Sequence, residues 1–130
     1  MREIKFRGLV RTGRWVYGSL VIDRGEPFIY WRDEAGLHKS SVLPETVGEY
    51  IGLKDKNGVE IYEDDICKNE IYGRDLLWVW EYRVDGEYIG FLPVCISDKR
   101  AGRVSTFMSW TSCEVIGNID ENPEPLEKAS

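Results

Sequence analysis

Residues 44–68 read PETVGEYIGLKDKNGVEIYEDDICK, and the punctuation of this stretch decides the fold class. Asn57-Gly58 is a dipeptide that a type I′ turn favours, because both central residues of that turn take positive φ and Asn and Gly tolerate it best. A hairpin is expected here, with Tyr50, Ile51, Gly52 and Leu53 in one arm and Val59, Glu60, Ile61 and Tyr62 in the other. Val59 and Ile61 alternate with Glu60, as in a strand with one face in water. The acidic trio Glu63, Asp64 and Asp65 interrupts the pattern and Ile66, Cys67 and Lys68 resume it, so the trio predicts a corner into the next strand. Asn57, Gly58, Asp64 and Asp65 are therefore expected to be structural positions.

Upstream, residues 2–7 alternate charge with Ile4 and Phe6, which predicts a strand that buries those two and turns its basic positions to water. Arg11, Thr12, Gly13 and Arg14 read as a turn, and residues 15–22, WVYGSLVI, as the next strand. Residues 23–27, ending in Pro27, read as a second turn; Phe28, Ile29, Tyr30 and Trp31 form a short aromatic strand, and residues 32–36 turn again. Residues 37–42 carry the only histidine, His38, in a further strand or edge segment. Pro44, Glu45 and Thr46 suit a short turn that delivers the chain to the central hairpin.

Downstream, the polar, Gly-containing residues 69–75 read as a loop. Residues 76–84, LLWVWEYRV, are the longest apolar-aromatic run and predict a core strand. Asp85-Gly86 signals another hairpin, into residues 87–92, and Pro93 argues against a central strand continuing unbroken past it. Residues 97–102 read as a polar loop, and residues 104–110 and 113–119 as two closing strands. The Pro-containing acidic end, residues 121–130, is expected to be a mobile tail. No segment holds a 3.6-residue period over three turns. The reading is a mainly β protein of small antiparallel sheets, divided into an amino-terminal β-rich lobe (1–48), a second lobe (49–120) and the tail (121–130).

At 130 residues the chain can bury a core without staples. Its net charge of −6 opposes phosphate, so duplex binding by bulk electrostatics is disfavoured. Three widely spaced cysteines, Cys67, Cys95 and Cys113, with no CxxC, argue against a secreted disulfide framework. The first ten residues hold no apolar run of signal-peptide length, and no 18-residue apolar stretch occurs, so a cytoplasmic location without membrane insertion is expected.

Three segments together resemble the YopX family, found in phages and in prophage regions of bacterial genomes. They are the opening REIKFR (2–7), the central PETVGEYIGLKDKNGVEIYEDDI (44–66), which is the most specific, and the closing EVIGNIDENPE (114–124). The family usually has Gly where this chain has Asp64, so a corner built for positive φ must here be met by Asp. The resemblance implies an SH3-like barrel in the carboxy-terminal part and self-association. It brings no activity, cofactor or catalytic residues.

Glu60, Glu63, Asp64 and Asp65 have the oxygen ligands a hard cation takes, and a metal-dependent enzyme built on the Asp64/Asp65 corner is one alternative. The plainer reading has these carboxylates folding a tight corner by accepting nearby backbone amides. His38 with the three cysteines is the inventory of a zinc site without its paired spacing, and buried cysteines acting as small hydrophobes are the simpler account. As a thiol catalyst the chain would have His38 as its sole histidine base, with no triad order to support it. No catalytic, cofactor or metal residue is assigned. The first fourteen residues are basic through Arg2, Lys5, Arg7, Arg11 and Arg14, and the last seventeen are acidic through Glu114, Asp120, Glu121, Glu124 and Glu127. Arg2, Lys5, Arg7, Arg14, Trp15 and Trp31 form the candidate interface, whose partner is a second copy of the chain or a host or phage protein. The interleaving of Lys5, Phe6 and Arg7, and of Arg14 and Trp15, also suits single-stranded nucleic acid on a small barrel, a second alternative that the overall charge disfavours.

Overall fold

The structure, a computed structural model, describes residues 3–71, 73–85, 88–97 and 113–121. It is mainly β: ten strands and a single 3-10 turn among the described residues. The chain divides into two compact units, residues 1–52 and 53–130. No helix among the described residues is long and apolar enough to cross a membrane.

The first unit is an antiparallel sheet of β1 (Phe6–Leu9), β2 (Trp15–Asp23), β3 (Glu26–Asp33), β4 (Gly36–Ser41) and β5 (Gly48–Lys54), in the order β4-β3-β2-β1-β5. Strands β2 and β3 are joined by the two-residue loop Arg24-Gly25, both residues of which have positive φ (53° and 81°), between the paired Asp23 and Glu26. The type I′ geometry expected at Asn57-Gly58 is found here instead. Pro27 lies within β3, opposite Ile22, so the strand begins earlier than its proline suggested. One face of the sheet buries Val16, Ile29 and Val42, with Phe6, Leu20 and Trp31 packed around them. A Cβ on Gly8 would come within 2.7 Å of Val42 Cβ, so glycine is what lets β1 approach that cluster. The 3-10 turn Pro44–Thr46 is fastened to the end of β1 by Thr46, whose Oγ1 accepts the Leu9 amide (2.9 Å) and donates to the Leu43 carbonyl (2.6 Å).

The opening of the chain departs from its alternation. Ile4, expected inside, is 65% exposed, whereas Arg7, expected in water, is 6% exposed. The physical reason is Trp15: the Arg7 guanidinium lies 4.7 Å from the centre of its ring, so the stem is covered and the charge faces a π system.

In the second unit, β6 (Glu60–Tyr62) follows the central hairpin, and β7 (Asp65–Ile71), β8 (Arg74–Asp85), β9 (Tyr88–Cys95) and β10 (Glu114–Asn118) form a sheet in the order β10-β7-β8-β9. This order is open among the described residues. Ile66, Val79 and Ile96 form its core, with Leu77 and Ile119 against them. One expectation fails here. Residues 69–71 belong to β7 and 74–75 to β8, because Asn69 is buried and its Oδ1 accepts the Trp78 indole N–H at 2.8 Å; a polar residue is what this strand needs at that point. Pro93 lies inside β9, opposite Trp80, and β9 is the last strand in the order among the described residues, a position where proline is tolerated. The strand expected over residues 104–110, the loop over 98–102 and the tail beyond Glu121 lie outside the described residues.

Candidate functional site

The turn that the sequence marks most strongly is built by a residue outside the expected set. Asp55 is 6% exposed, and its Oδ1 accepts the amides of Asn57 (2.8 Å) and Val59 (2.9 Å) while its Oδ2 accepts that of Val115 at the start of β10 (2.9 Å). The Gly58 amide donates to the Asp55 carbonyl and the Asp55 amide to the Val59 carbonyl. Gly58 has φ 81°, but Asn57 is not among the described residues with positive φ, so this is a three-residue loop closed by a left-handed glycine and not a type I′ turn. Burial pushes the Asp55 carboxyl up. The amides of Val115, Val59 and Asn57, with the Lys56 charge, outweigh it and hold the group below the usual carboxylate range.

The acidic corner is tied to the backbone in a similar way. Asp64 takes φ 68°, its amide donates to the Trp80 carbonyl and its carbonyl accepts the Ile119 amide, so the corner anchors β8 and the end of β10. Asp65 is buried and its Oδ2 accepts the Tyr62 amide at 2.8 Å. Among the described residues no group of three or more His, Cys, Asp or Glu is placed to hold a metal ion. The three cysteines are buried free thiols. A hydrogen bond with Cys113, then burial, then the neighbouring Cys113 and Asp65 charges push the Cys67 thiol far up.

The feature with the form of a binding site lies in the first unit, where β2 and β3 part. Their ladder ends at Ser19 and Tyr30; beyond it β2 pairs with β1 and β3 with β4. Gly18 sits at the fork, and any Cβ there would run into the Tyr30 carbonyl oxygen. In the gap is an open cleft of about 230 Å³ lined by Arg14, Trp15, Val16, Tyr17 and Trp31. Val16 is its buried floor, Trp15 and Trp31 are half-buried walls, and Tyr17, 46% exposed, lies at the rim with Arg14. Each wall has a second side chain against its ring. Arg7 stands over the Trp15 ring, and His38, directly opposite Trp31 in the β3–β4 ladder, stacks on it with centroids 5.4 Å apart and planes 17° apart. Asp33 fixes His38 through Oδ1 to Nε2 at 2.7 Å; that bond, then the Ala35 amide, lower the Asp33 carboxyl. Arg14 is placed by the β1–β2 turn, in which the Gly13 amide donates to the Val10 carbonyl (2.8 Å) and the Val10 amide to the Arg14 carbonyl (2.9 Å).

Of the six expected interface residues, Arg14, Trp15 and Trp31 line this cleft and Arg7 supports it. Lys5 instead sits 5.5 Å from the Tyr50 ring centre, and Arg2 lies outside the described residues. Tyr17 and His38 were missed. Tyr17 could have been found two residues after Trp15 on the same strand face, and His38 by pairing it with Trp31 across a two-residue turn. The lining presents two indoles and a phenol for apolar contact, with the Arg14 cation beside them.

No match was found among curated proteins. Among solved structures, the crystal structure of protein EF1440 from Enterococcus faecalis aligns with a TM-score of 0.55 at 24% identity, covering 97% of this chain and 99% of that one, a likeness of fold alone. The family model described as YopX protein matches residues 11–127. That match runs from the turn before β2 through the central hairpin and past the closing strand, well over half of the chain, and the chain belongs to the YopX family.

Proposed function

We propose that the protein is a non-enzymatic contact module of phage or prophage origin, which works in the bacterial cytoplasm by gripping a protein partner in the cleft between β2 and β3. The observation that carries this reading is the pair of half-buried indoles, Trp15 and Trp31, each braced by a second side chain. A large ring left partly open and held rigid is the usual anchor of a protein interface, because it offers contact area at little cost in ordering. The partner is a second copy or a host or phage protein, and the second unit is an elaboration of the SH3-like barrel implied by the resemblance. Size-exclusion chromatography with light scattering, joined to pull-down from host extract, tests the reading. Trp31→Ala is expected to abolish the association that wild type shows; association unchanged in that variant would reject it.

A second reading is single-stranded nucleic acid in the same cleft. It is favoured by the charge of the first unit taken alone: residues 1–52 hold eight Lys and Arg against seven Asp and Glu, whereas the remainder hold nine against sixteen. Fluorescence anisotropy with short oligonucleotides, showing no salt-sensitive binding, would dismiss it.

A further inference from the structure

We infer that the occupant of the cleft is the acidic, proline-containing segment of residues 121–127, ENPEPLE, supplied by a second copy of this chain. The inference rests on the protein-contact reading above and names its partner. Three observations converge on it. The first is chemistry: grooves walled by aromatic rings with indole N–H or phenol groups at the rim accept proline-rich strands, whose rings lie flat on the indoles and whose preset conformation loses little entropy on binding. Trp15, Trp31 and Tyr17 are such a set.

The second is period. A polyproline II strand has three residues per turn, so residues three apart share an edge. Bound in that form, residues 121–127 would carry Glu121, Glu124 and Glu127 along one edge and Pro123 with Leu126 along another. An apolar edge and an acidic edge side by side are what a cleft with an apolar floor and a basic mouth would take.

The third is charge. Arg14 at the mouth and Arg11 in the adjoining turn are both exposed, and the cleft lies in the unit whose basic residues outnumber its acids. Asp33 and Glu34 lie nearby in sequence to the Trp31 wall, but Asp33 is bound to His38. The segment offers three carboxylates and no cation within residues 121–127. Tail-into-cleft contact closes a two-fold dimer when two copies exchange tails and gives a head-to-tail chain when they do not.

The test uses a fluorescein-labelled peptide of residues 119–130 titrated with the full chain by anisotropy, alongside light scattering of the full chain over a range of concentrations. Peptide binding is expected to weaken at least about tenfold with Arg14→Glu, with Trp31→Ala, and with a peptide carrying Glu121→Gln, Glu124→Gln and Glu127→Gln. The full chain is expected to self-associate with rising concentration, to be dispersed by excess unlabelled peptide, and to lose association with Glu124→Arg. Combining Arg14→Glu with Glu124→Arg is expected to restore it, an outcome that mere misfolding of either variant could not give. A peptide that does not bind, while Trp31→Ala still breaks an association, overturns the inference and leaves the contact reading standing. No association sensitive to Trp31 overturns both. A peptide that binds although the full chain is monomeric at every concentration places the tail in its own cleft and overturns the two-copy form, and displacement of the peptide by an oligonucleotide alone assigns the cleft to nucleic acid.

Discussion

The two units use tryptophan in opposite ways. In the second, Trp78 and Trp80 are each 4% exposed on the long strand β8, and the Trp78 indole N–H is satisfied by a buried asparagine from the neighbouring strand. In the first, Trp15 and Trp31 are half-open at a fork between strands, with Arg7 and His38 against their rings, and both line a cleft. A buried ring with its polar atom paired contributes packing and a fixed register. A braced ring with an open face adds less to stability and is ready to be covered by something else. Stability should therefore be concentrated in the polar ties of the second unit, and recognition in the first.

That contrast can be broken at several points. The largest effect is expected from Asp55→Ala, which strips the acceptor from three backbone amides at once; a loss of about 4 kcal/mol in urea denaturation is expected, well beyond any single surface change. The same carboxylate sets an acid limb. Because its folded pKa lies below the unfolded value, the stability it contributes is complete above about pH 4 and drains away as pH falls through the folded pKa. Asp55→Asn should flatten that limb in stability measured against pH, and an unaltered slope would remove Asp55 from its cause.

Gly18→Ala comes next, at about 3 kcal/mol, since the obstacle is the Tyr30 backbone and not a flexible side chain. It sharpens the comparison because the fork and its cleft should be lost together. Asn69→Leu should cost about 2 kcal/mol by leaving the Trp78 N–H buried without an acceptor, and adding Trp78→Phe should recover part of that loss; a double-mutant cycle with no coupling would show that the bond contributes nothing. The smallest effect on stability belongs to Arg14→Glu, within about 0.5 kcal/mol at an exposed turn position, measured by the same denaturation curve. A large loss there would mean that the cleft is part of the scaffold and would erase the distinction between the units.

Much of the fold was readable from local chemistry. The run of turns set by Gly13, Gly25, Gly36 and Gly58, and the period-2 strands between them, give nearly every strand of the first unit. The places that misled share a cause. Arg7, Asn69 and Asp55 are polar residues inside the protein, each made tolerable by a partner distant in sequence or across a ladder: the Trp15 ring, the Trp78 indole and the Val115 amide. Polarity alone sends such residues to water, and only the partner brings them in. The cleft was half visible. Trp15 and Arg14 adjoin in sequence, but Trp31 joins them only because β2 leaves β3 at Gly18.

The sequence by itself determined most of the places where the chain turns and most of the stretches that extend, because φ preferences and alternating hydrophobicity act over a few residues. It also determined the distribution of charge, with basic residues gathered at the start and carboxylates towards the end. Tertiary structure alone decided which polar groups are buried and which rings stay open. Those outcomes depend on what a neighbouring strand places opposite, and a period of two names a face without naming its neighbour.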